Sequence, residues 1–341
     1  MTPERLDQLL DRFSTLRIAV LGDYFLDSYL DVDPALAEPS VETGKVAHQV
    51  VGVKHSAGAA ALGVGRIHAI GAIGDDGTGW ELRRALQRVG CDTDALLESD
   101  ERMTPVYLKP RDVGVPGLAG EHSRYDTRNR RRTSDSLVRR VIEGAERLWP
   151  KIDALILLDQ VEGPEYEIVT AEVRRWACER AAANSSRIVW ADSRFHIDRF
   201  PGLRIKPNQF EVTGERPTGP DSRVSTERIA EMLPRLRERQ GVPVTVTLGE
   251  RGLMISDPHP RLLPAYPADG PIDTTGAGDS VTAAMVAALC AGASHCEAGR
   301  LGNLAASITV RQLGTTGTAR PKQLRQRLDE WRRERPQDFD D

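Results

Sequence analysis

Four short apolar segments, separated by segments of helical pattern, constrain the fold of this 341-residue chain more than any other feature. They read RIAVLG at 17–22, ALILL at 154–158, RIVWA at 187–191 and VTVTL at 244–248. Each ends at a polar residue or a glycine, and helix-like sequence fills 166–182 and 226–240. Alternating strands and helices predict a parallel sheet that is covered on both faces. Polar side chains at the carboxyl ends of such strands are expected to line a ligand crevice.

Two segments, 31–53 and 103–125, lack this alternation and contain short apolar runs or Gly/Pro-rich sequence instead. We interpret them as parts of a small lid outside the main sheet. The remainder of 1–330 is interpreted as the same single domain, with 331–341 as a C-terminal tail whose end is frayed. The basic run RNRRRT at 128–133 is interpreted as solvated surface, the usual role of such runs.

Composition excludes several classes of function. Lys and Arg number 46 against 50 Asp and Glu, so a generally basic nucleic-acid-binding surface is not expected. No apolar stretch reaches the roughly 20 residues of a membrane span, and the first residues lack the apolar core of a signal peptide. Seven histidines show no HxxxH or HExxH spacing, which disfavours a histidine metal site. The cysteines form no CxxC pair and are predicted to be reduced thiols of a cytoplasmic protein: Cys91, Cys178, Cys290 and Cys296.

The segment DTTGAGDS at 273–280 is the most informative motif. Gly276 and Gly278 permit unusual backbone angles and close approach of a ligand. Helix-like sequence follows, so free backbone N–H groups at a helix start would face the same place, which suits phosphate oxygens. Asp279 lies in the first turn, where its carboxylate either faces that ligand or only stabilises the start of the helix. The residues alone leave both interpretations open.

DTTGAGDS resembles the C-terminal signature DTxGAGD of the ribokinase/PfkB carbohydrate kinase family, and further matches follow in the family's order from about 18 to 318. The resemblance implies an α/β fold, a Rossmann-like three-layer sandwich with a small β lid. It implies ATP-dependent phosphorylation of a hydroxyl of a sugar or sugar phosphate, with Mg²⁺. Asp279 would be the general base, and the amides of Gly276, Ala277 and Gly278 would form an anion hole.

Two N-terminal segments resemble the family's sugar site. GDYFLDSY at 22–29 matches the GD pattern of the first strand, which implies that Asp23 and Asp27 contact sugar hydroxyls. From the residues alone, Asp27 is equally an exposed or capping acid. The segment 56–79 resembles the N-terminal signature, in which Gly58 would approach the substrate. Ala57 and Ala61 stand where the family has glycine and asparagine, so the resemblance predicts an unusual substrate or weak activity.

Three further motifs resemble the nucleotide side of the family's site. KPNQFE at 206–211 is similar to PNxxE, so Asn208 and Glu211 would organise Mg²⁺ and phosphate through water, although Asn-x-x-Glu is also a helix capping box. TLGERG at 247–252 is similar to a strand and turn beside the nucleotide, and alone is only a tight turn. Asn303 would flank the adenine, or is simply a satisfied helix residue. The turn motif would place three residues near ATP: Thr247, Gly249 and Gly252.

Within the family, the chain resembles the heptose-7-phosphate kinase type, the kinase half of ADP-heptose synthase. SRYD at 123–126, LLDQVEG at 157–163 and ADSR at 191–194 carry this likeness. It implies that Arg124, Asp159 and Asp192 lie near the substrate. LLDQVEG lacks the lysine usual before its glycine, and ADSR has Ser-Arg in place of Pro-Lys.

The family resemblance carries two further expectations and leaves alternatives. Some members bind a monovalent cation beside the anion hole, which here would use Asp273 and Thr275. Members often dimerise through the lid, so a homodimer is expected, because an exposed lid edge strand favours pairing. The alternatives are a kinase of the same superfamily acting on a nucleoside or other small molecule, and a non-catalytic nucleotide-binding regulatory protein. The partners predicted are the substrate and ATP, without nucleic acid or membrane.

Overall fold

The central layer of the protein is a parallel sheet of six strands. The computed structural model describes residues 1–56, 64–115, 119–163, 165–219, 221–313, 315 and 317–339. Crossing the sheet from one edge to the other, the strands are β10 (Arg204–Ile205), β9 (Ile188–Ser193), β8 (Ala154–Asp159), β1 (Arg17–Gly22), β4 (Arg66–Gly74) and β5 (Cys91–Ser99).

Helices cover both faces of this sheet because its strands are apolar on both sides. Ile18 of β1 packs into one buried cluster, whereas Ala19 and Leu21 pack into another on the opposite face, as strand alternation requires. The helices are α1 (Pro3–Phe13), α2 (Gly77–Arg88), α3 (Asp135–Leu148), α4 (Ala171–Ala183), α5 (Gln209–Thr213), α6 (Thr226–Gln240), α7 (Ala277–Cys290), α8 (His295–Thr309) and α9 (Pro321–Glu334). The predicted three-layer α/β sandwich is confirmed. Among the described residues, no helix combines the length and apolar character needed to cross a membrane.

A second sheet of four strands is built from the segments interpreted as a lid. Its order is β3 (Val46–Ser56), β2 (Leu26–Pro39), β6 (Val106–Asp112) and β7 (Tyr125–Thr127). β2 pairs with β3 in antiparallel and with β6 in parallel orientation. The parallel register sets Tyr29 opposite Lys109, which brings Lys109 close to Asp27 from a distant part of the chain. We call this sheet the lid sheet.

The predicted strand at 244–248 lies outside the central sheet. Its residues form β11 (Thr245–Thr247), which pairs with β12 (Leu253–Ile255), and β12 pairs with β13 (Arg261–Leu263), both in antiparallel orientation. Single parallel bridges, Ile205 with Val244 and Asn208 with Thr247, join this hairpin sheet to the end of β10. The apolar pattern therefore predicted a strand correctly, but the chain reverses at Gly249 and makes a hairpin.

The structure of the C-terminal tail differs from the prediction. α9 runs across residue 330 to Glu334, and a short 3₁₀ helix, Pro336–Phe339, follows it. Trp331 is buried, stacks on Tyr266 with ring centroids 5.4 Å apart, and meets the Phe339 ring at 5.2 Å. Its Nε1 donates a 2.8 Å hydrogen bond to Asp338 Oδ2. The prediction of a frayed end was wrong up to residue 339, because two aromatic anchors hold a segment of otherwise polar composition.

Candidate active site

A cavity of about 570 Å³ extends from the carboxyl ends of the central strands to the lid sheet. This is the position at which an open parallel sheet is expected to bind a ligand. The cavity brings together residues from the whole length of the chain. Those predicted from the sequence are Asp23, Asp27, Arg124, Asp192, Asn208, Glu211, Thr247, Thr275, Gly276, Gly278 and Asp279.

One end of the cavity is the N-terminus of α7. Gly276 is the N-cap residue and has a φ of 74°, a left-handed conformation that favours glycine. The turn before it is held by Asp273, whose Oδ1 accepts a 2.9 Å hydrogen bond from the Thr275 amide. α7 is 14 residues long, and its buried residues follow directly from Ser280 onward, so the helix is packed into the core beyond its first turn. The partial positive charge of a helix N-terminus therefore faces the cavity, an arrangement suited to an anion.

Asp279 lies in the first turn of α7 and also lines the cavity. Burial, together with the nearby Asp192 carboxylate, raises the pKa of Asp279 to about 6, although Lys206 and Arg194 act in the opposite direction. The carboxylate is consequently ionised at neutral pH but binds a proton more readily than an exposed aspartate. These are the properties required of a general base.

Lys206 forms a buried ion pair with Asp192 beside the start of α7. The Lys206 Nζ lies 2.9 Å from Asp192 Oδ2, and Thr282 Oγ1 donates a 2.9 Å hydrogen bond to the same oxygen. Burial opposes the charged form of the lysine, but Asp192 outweighs it and raises the pKa of Lys206. A Cβ built on Gly278 would lie 3.4 Å from Nζ, so the ammonium group is close to the GAGD backbone. The sequence predicted no role for Lys206, although its position directly before PNxxE could have indicated one.

Asn208 and Glu211 form the predicted capping box at the start of α5 and still line the cavity. Asn208 Oδ1 accepts hydrogen bonds from the Phe210 and Glu211 amides. Glu211 accepts from the Asn208 amide at 2.7 Å and from Asn208 Nδ2 at 2.8 Å. Burial raises the pKa of Glu211 to about 7. Capping and a place in the cavity are thus compatible, as the sequence allowed.

The opposite wall of the cavity belongs to β1 and the lid sheet. Asp27 Oδ1 lies 2.7 Å from Lys109 Nζ, and both side chains are buried. Arg124 makes two 2.9 Å hydrogen bonds to Asp126 and lies over the Tyr107 ring at 4.9 Å. This wall therefore offers both cations and carboxylates to a polar ligand.

Asp23 continues this wall at the end of β1. Its Oδ1 accepts a 3.0 Å hydrogen bond from the Ile168 amide and lies 3.5 Å from an Arg102 nitrogen. Burial raises the pKa of Asp23 to about 7. Oδ2 is buried without a hydrogen-bond partner and is available to a donor such as a ligand hydroxyl.

Several predicted residues do not line the cavity. Asp159 is completely buried behind its wall and accepts a 2.7 Å hydrogen bond from Ser193 Oγ. Asn303 is buried and donates 2.9 Å hydrogen bonds to the carbonyls of Leu263 and Pro264, so it is the satisfied polar helix residue of the alternative interpretation. Gly249 and Gly252 adopt positive φ in the turn between β11 and β12. The predictions at Ala57, Gly58 and Ala61 lie outside the described residues.

Comparison with known proteins agrees with this fold. Residues 205–323 match the family described as pfkB family carbohydrate kinase. The chain is 30% identical to the Bifunctional protein HldE of Magnetococcus marinus over 320 residues, which is 89% of this chain and 62% of that protein. It is 25% identical to the Bifunctional protein HldE of Sulfurimonas denitrificans over 318 residues, 88% of this chain and 62% of that protein. The chain thus spans about three fifths of the length of these relatives.

The fold itself is that of ribokinase. The structure of Arabidopsis thaliana ribokinase complexed with ribose and ATP superposes with a TM-score of 0.65 at 18% identity, covering 92% of this chain and 98% of that one. The chain therefore has the ribokinase-like α/β fold. Residues 205–323 are similar to the pfkB family of carbohydrate kinases, which are phosphotransferases.

Proposed function

We propose that this protein transfers the γ-phosphoryl group of ATP to a hydroxyl group of a sugar or sugar phosphate. The observation that carries the proposal is the convergence of separate motifs on one cavity. Asp279 at the start of α7 shares that cavity with Lys206 and Glu211 on one side and with Asp27 on the other. Phosphoryl transfer requires mainly positioning and stabilisation of charge, which such an arrangement supplies.

Asp279 is the general base of this proposal. With a pKa of about 6 it is deprotonated at neutral pH and takes the proton of the attacking hydroxyl. The amides of Gly276, Ala277 and Gly278 form the anion hole for the charge on the transferred group. Lys206 adds a full positive charge close to Gly278. The lid sheet excludes water from the cavity, which limits hydrolysis of ATP.

Thr247 and the turn at Gly249 and Gly252 belong to the nucleotide side of this proposal. Thr247 lines the cavity, and its bridge to Asn208 ties the β11 turn to the PNxxE segment. A Cβ on Gly252 would lie 2.2 Å from the Leu263 carbonyl oxygen, so glycine is needed there to keep the hairpin closed. The turn thereby shapes the nucleotide side even though its glycines do not line the cavity.

Asn208 and Glu211 fit the Mg²⁺ ion that the family implies. Carboxylate and amide oxygens are the hard donors that Mg²⁺ prefers, and this ion usually keeps several of its waters. Both Glu211 oxygens already accept hydrogen bonds from Asn208, so these residues would hold the ion through water. When bound, Mg²⁺ would neutralise charge on the β- and γ-phosphates.

Asp273 and Thr275, linked by a 2.9 Å hydrogen bond, are the residues proposed for a monovalent cation.

The substrate class that we favour is a sugar that already carries a phosphate. Lys109, Arg124 and Arg194 all line the cavity, and cations of this kind make charge-assisted hydrogen bonds with phosphate. The similarity to HldE proteins and the heptose-7-phosphate kinase pattern of ADSR and SRYD point to the same class. Asp23 and Asp27 are suited to accept hydrogen bonds from sugar hydroxyls.

A homodimer formed through the lid sheet is part of the proposal. β3 is an edge strand of that sheet, and its valines are exposed, namely Val46, Val50, Val51 and Val53. An apolar edge strand favours pairing with a second chain.

The cysteines are free thiols, in keeping with the cytoplasmic location that we propose. Nucleic acid and membrane are not among the proposed partners.

The test is ATP turnover with Mg²⁺ against a panel of sugars, sugar phosphates and nucleosides, with Asp279→Asn as the control. We expect one sugar phosphate to stimulate turnover strongly and the variant to abolish that stimulation. Stimulation by a nucleoside alone would show that the substrate is a nucleoside and not a sugar phosphate. ATP binding without stimulation by any compound of a broad panel would contradict the kinase activity and favour a nucleotide-binding regulatory protein.

A further inference from the structure

Three side chains that could ligate a metal meet behind the wall of the cavity. Asp159 ends β8, Glu167 lies in the loop before α4, and His196 follows β9. One ligand atom of each lies within 4.8 Å of the ligand atoms of the other two. His196 Nδ1 is 3.4 Å from Asp159 Oδ2. Donors around a single ion with ligand distances of about 2.0–2.2 Å lie at most about 4.4 Å apart, so small shifts of the side chains would bring these ligand atoms to that spacing.

The same three residues carry buried atoms that have no hydrogen-bond partner. These atoms are Asp159 Oδ1, Glu167 Oε2 and His196 Nδ1. The side chains of Asp159 and Glu167 are 0% and 1% exposed, so water from the surface does not satisfy them. Buried polar atoms in folded proteins are nearly always paired, and three unpaired donors or acceptors in one place call for a ligand.

Neighbouring groups hold the other oxygen of each carboxylate. Ser193 Oγ donates a 2.7 Å hydrogen bond to Asp159 Oδ2, and an Arg174 nitrogen lies 3.2 Å from Glu167 Oε1. Arg174 also bonds the Val169 carbonyl at 2.6 Å and is therefore fixed in place. Such outer contacts orient the ligating groups of metal sites. Each carboxylate is thus oriented by one oxygen and has the other oxygen unpaired.

We propose that Asp159, Glu167 and His196 bind one divalent transition-metal ion. One imidazole nitrogen with two carboxylates suits Zn²⁺, Mn²⁺ or Fe²⁺ better than Mg²⁺, which prefers oxygen alone. The ion ties the loop before α4 to the end of β9. Ile168, next to Glu167, donates its amide to Asp23, so the ion also steadies the cavity wall. The site is separate from Asn208 and Glu211, whose proposed ion accompanies ATP.

The test measures binding of Zn²⁺ and Mn²⁺ to the full-length, metal-stripped protein by titration calorimetry without nucleotide. We expect about one equivalent of either ion to bind, and a rise in Tm on adding Zn²⁺. His196→Gln and Glu167→Gln should each weaken binding by about 100-fold or more, since even outer contacts of metal sites are worth about 10–100-fold. Mg²⁺ at the same concentrations should bind far more weakly.

His68→Gln is the matched control. His68 is buried, and its Nδ1 lies 3.4 Å from an aspartate oxygen, Asp92 Oδ2, as that of His196 does from Asp159, but it belongs to no three-ligand cluster among the described residues. This variant should bind Zn²⁺ as the wild-type protein does. Absence of binding in the wild-type protein would overturn the proposal. Binding that survives in His196→Gln but disappears in Glu211→Gln would also overturn it, since the ion would then lie at the other site.

X-ray absorption of the zinc-loaded wild-type protein tests the ligands without any variant. The proposal requires one imidazole, with oxygen as the other donor atoms. Sulfur or a second imidazole in the first coordination sphere would contradict it, whether or not the substituted proteins fold.

Discussion

A buried lysine–aspartate pair stands on each side of the cavity, and the two pairs are built differently. Lys206 and Asp192 come from the ends of neighbouring strands, β10 and β9, and meet at 2.9 Å. Lys109 and Asp27 meet at 2.7 Å only because β6 pairs with β2 across about 80 residues of sequence. The first pair lies beside the start of α7, and the second lies in the lid sheet. One lysine–aspartate pair is therefore attached to the central sheet, and the other is attached to the separate lid sheet.

The largest expected effect is on the stability of the folded protein, and it should differ between variants of the two pairs. Lys206→Met should lower the free energy of unfolding by about 3–5 kcal/mol, because it leaves the Asp192 carboxylate buried without its cation. Lys109→Met should cost less, because the lid sheet is separate from the central sheet and its displacement would hydrate Asp27. Urea denaturation of both variants measures the difference. An equal or larger loss for Lys109→Met would show that the lid sheet is as rigid as the central sheet.

The next largest effects are expected on catalysis, where substitutions on the two walls of the cavity should change different kinetic constants. Asp279→Asn should lower kcat by ~10²-fold or more while leaving ATP affinity almost unchanged, because it removes the base and keeps the shape of the site. Asp27→Asn on the opposite wall should act mainly on KM for the acceptor substrate. Steady-state kinetics and calorimetry with ATP make the comparison. Near-normal turnover in Asp279→Asn would refute its assignment as the base.

The pH dependence should report the α7 side of the cavity. Asp279 accepts a proton only when it is ionised, so activity is retained above its pKa of about 6 and lost below it. We expect kcat/KM to fall about tenfold for each pH unit well below that value. Protonation of Glu211, with a pKa of about 7, adds to the loss in the same direction. A pH–rate profile that stays flat down to pH 5 would contradict both assignments.

The smallest effect is expected on the lid side at Arg124. Its ion pair with Asp126 is partly exposed, and such pairs are worth about 0–1 kcal/mol, so Arg124→Ala should leave stability nearly unchanged. KM should rise for a phosphorylated acceptor and remain the same for its unphosphorylated analogue. Equal effects on the two substrates would show that Arg124 does not face the substrate phosphate.

Local patterns in the sequence predicted much of the fold and of the α7 side of the site. The apolar runs predicted β1, β8 and β9, and Asn-x-x-Glu predicted the capping box of α5. The glycine at 276 predicted the turn that starts α7. These features depend on hydrogen bonds and burial within a few residues, so a single stretch of sequence is enough to indicate them.

Other parts of the site were missed because they depend on strand order and register. Nothing near Lys109 indicates a partner at Asp27, since the contact follows from parallel pairing of β2 with β6. Asp159 was expected in the cavity, but its side chain turns behind the wall toward Ser193 and His196. The histidine spacing argued against a metal site, whereas the proposed ligands come from three separate segments, the end of β8 and two loops.

The amino-acid sequence by itself determined the alternation of strands and helices, the place of the GAGD turn and the family that this turn resembles. Only the tertiary structure decided that Lys206 lies beside that turn, that Lys109 faces Asp27, and that Trp331 anchors the C-terminal end. The physical reason is the range of the interactions. Turns, caps and apolar periodicity act over a few residues, whereas buried ion pairs and aromatic contacts require distant segments to be packed together.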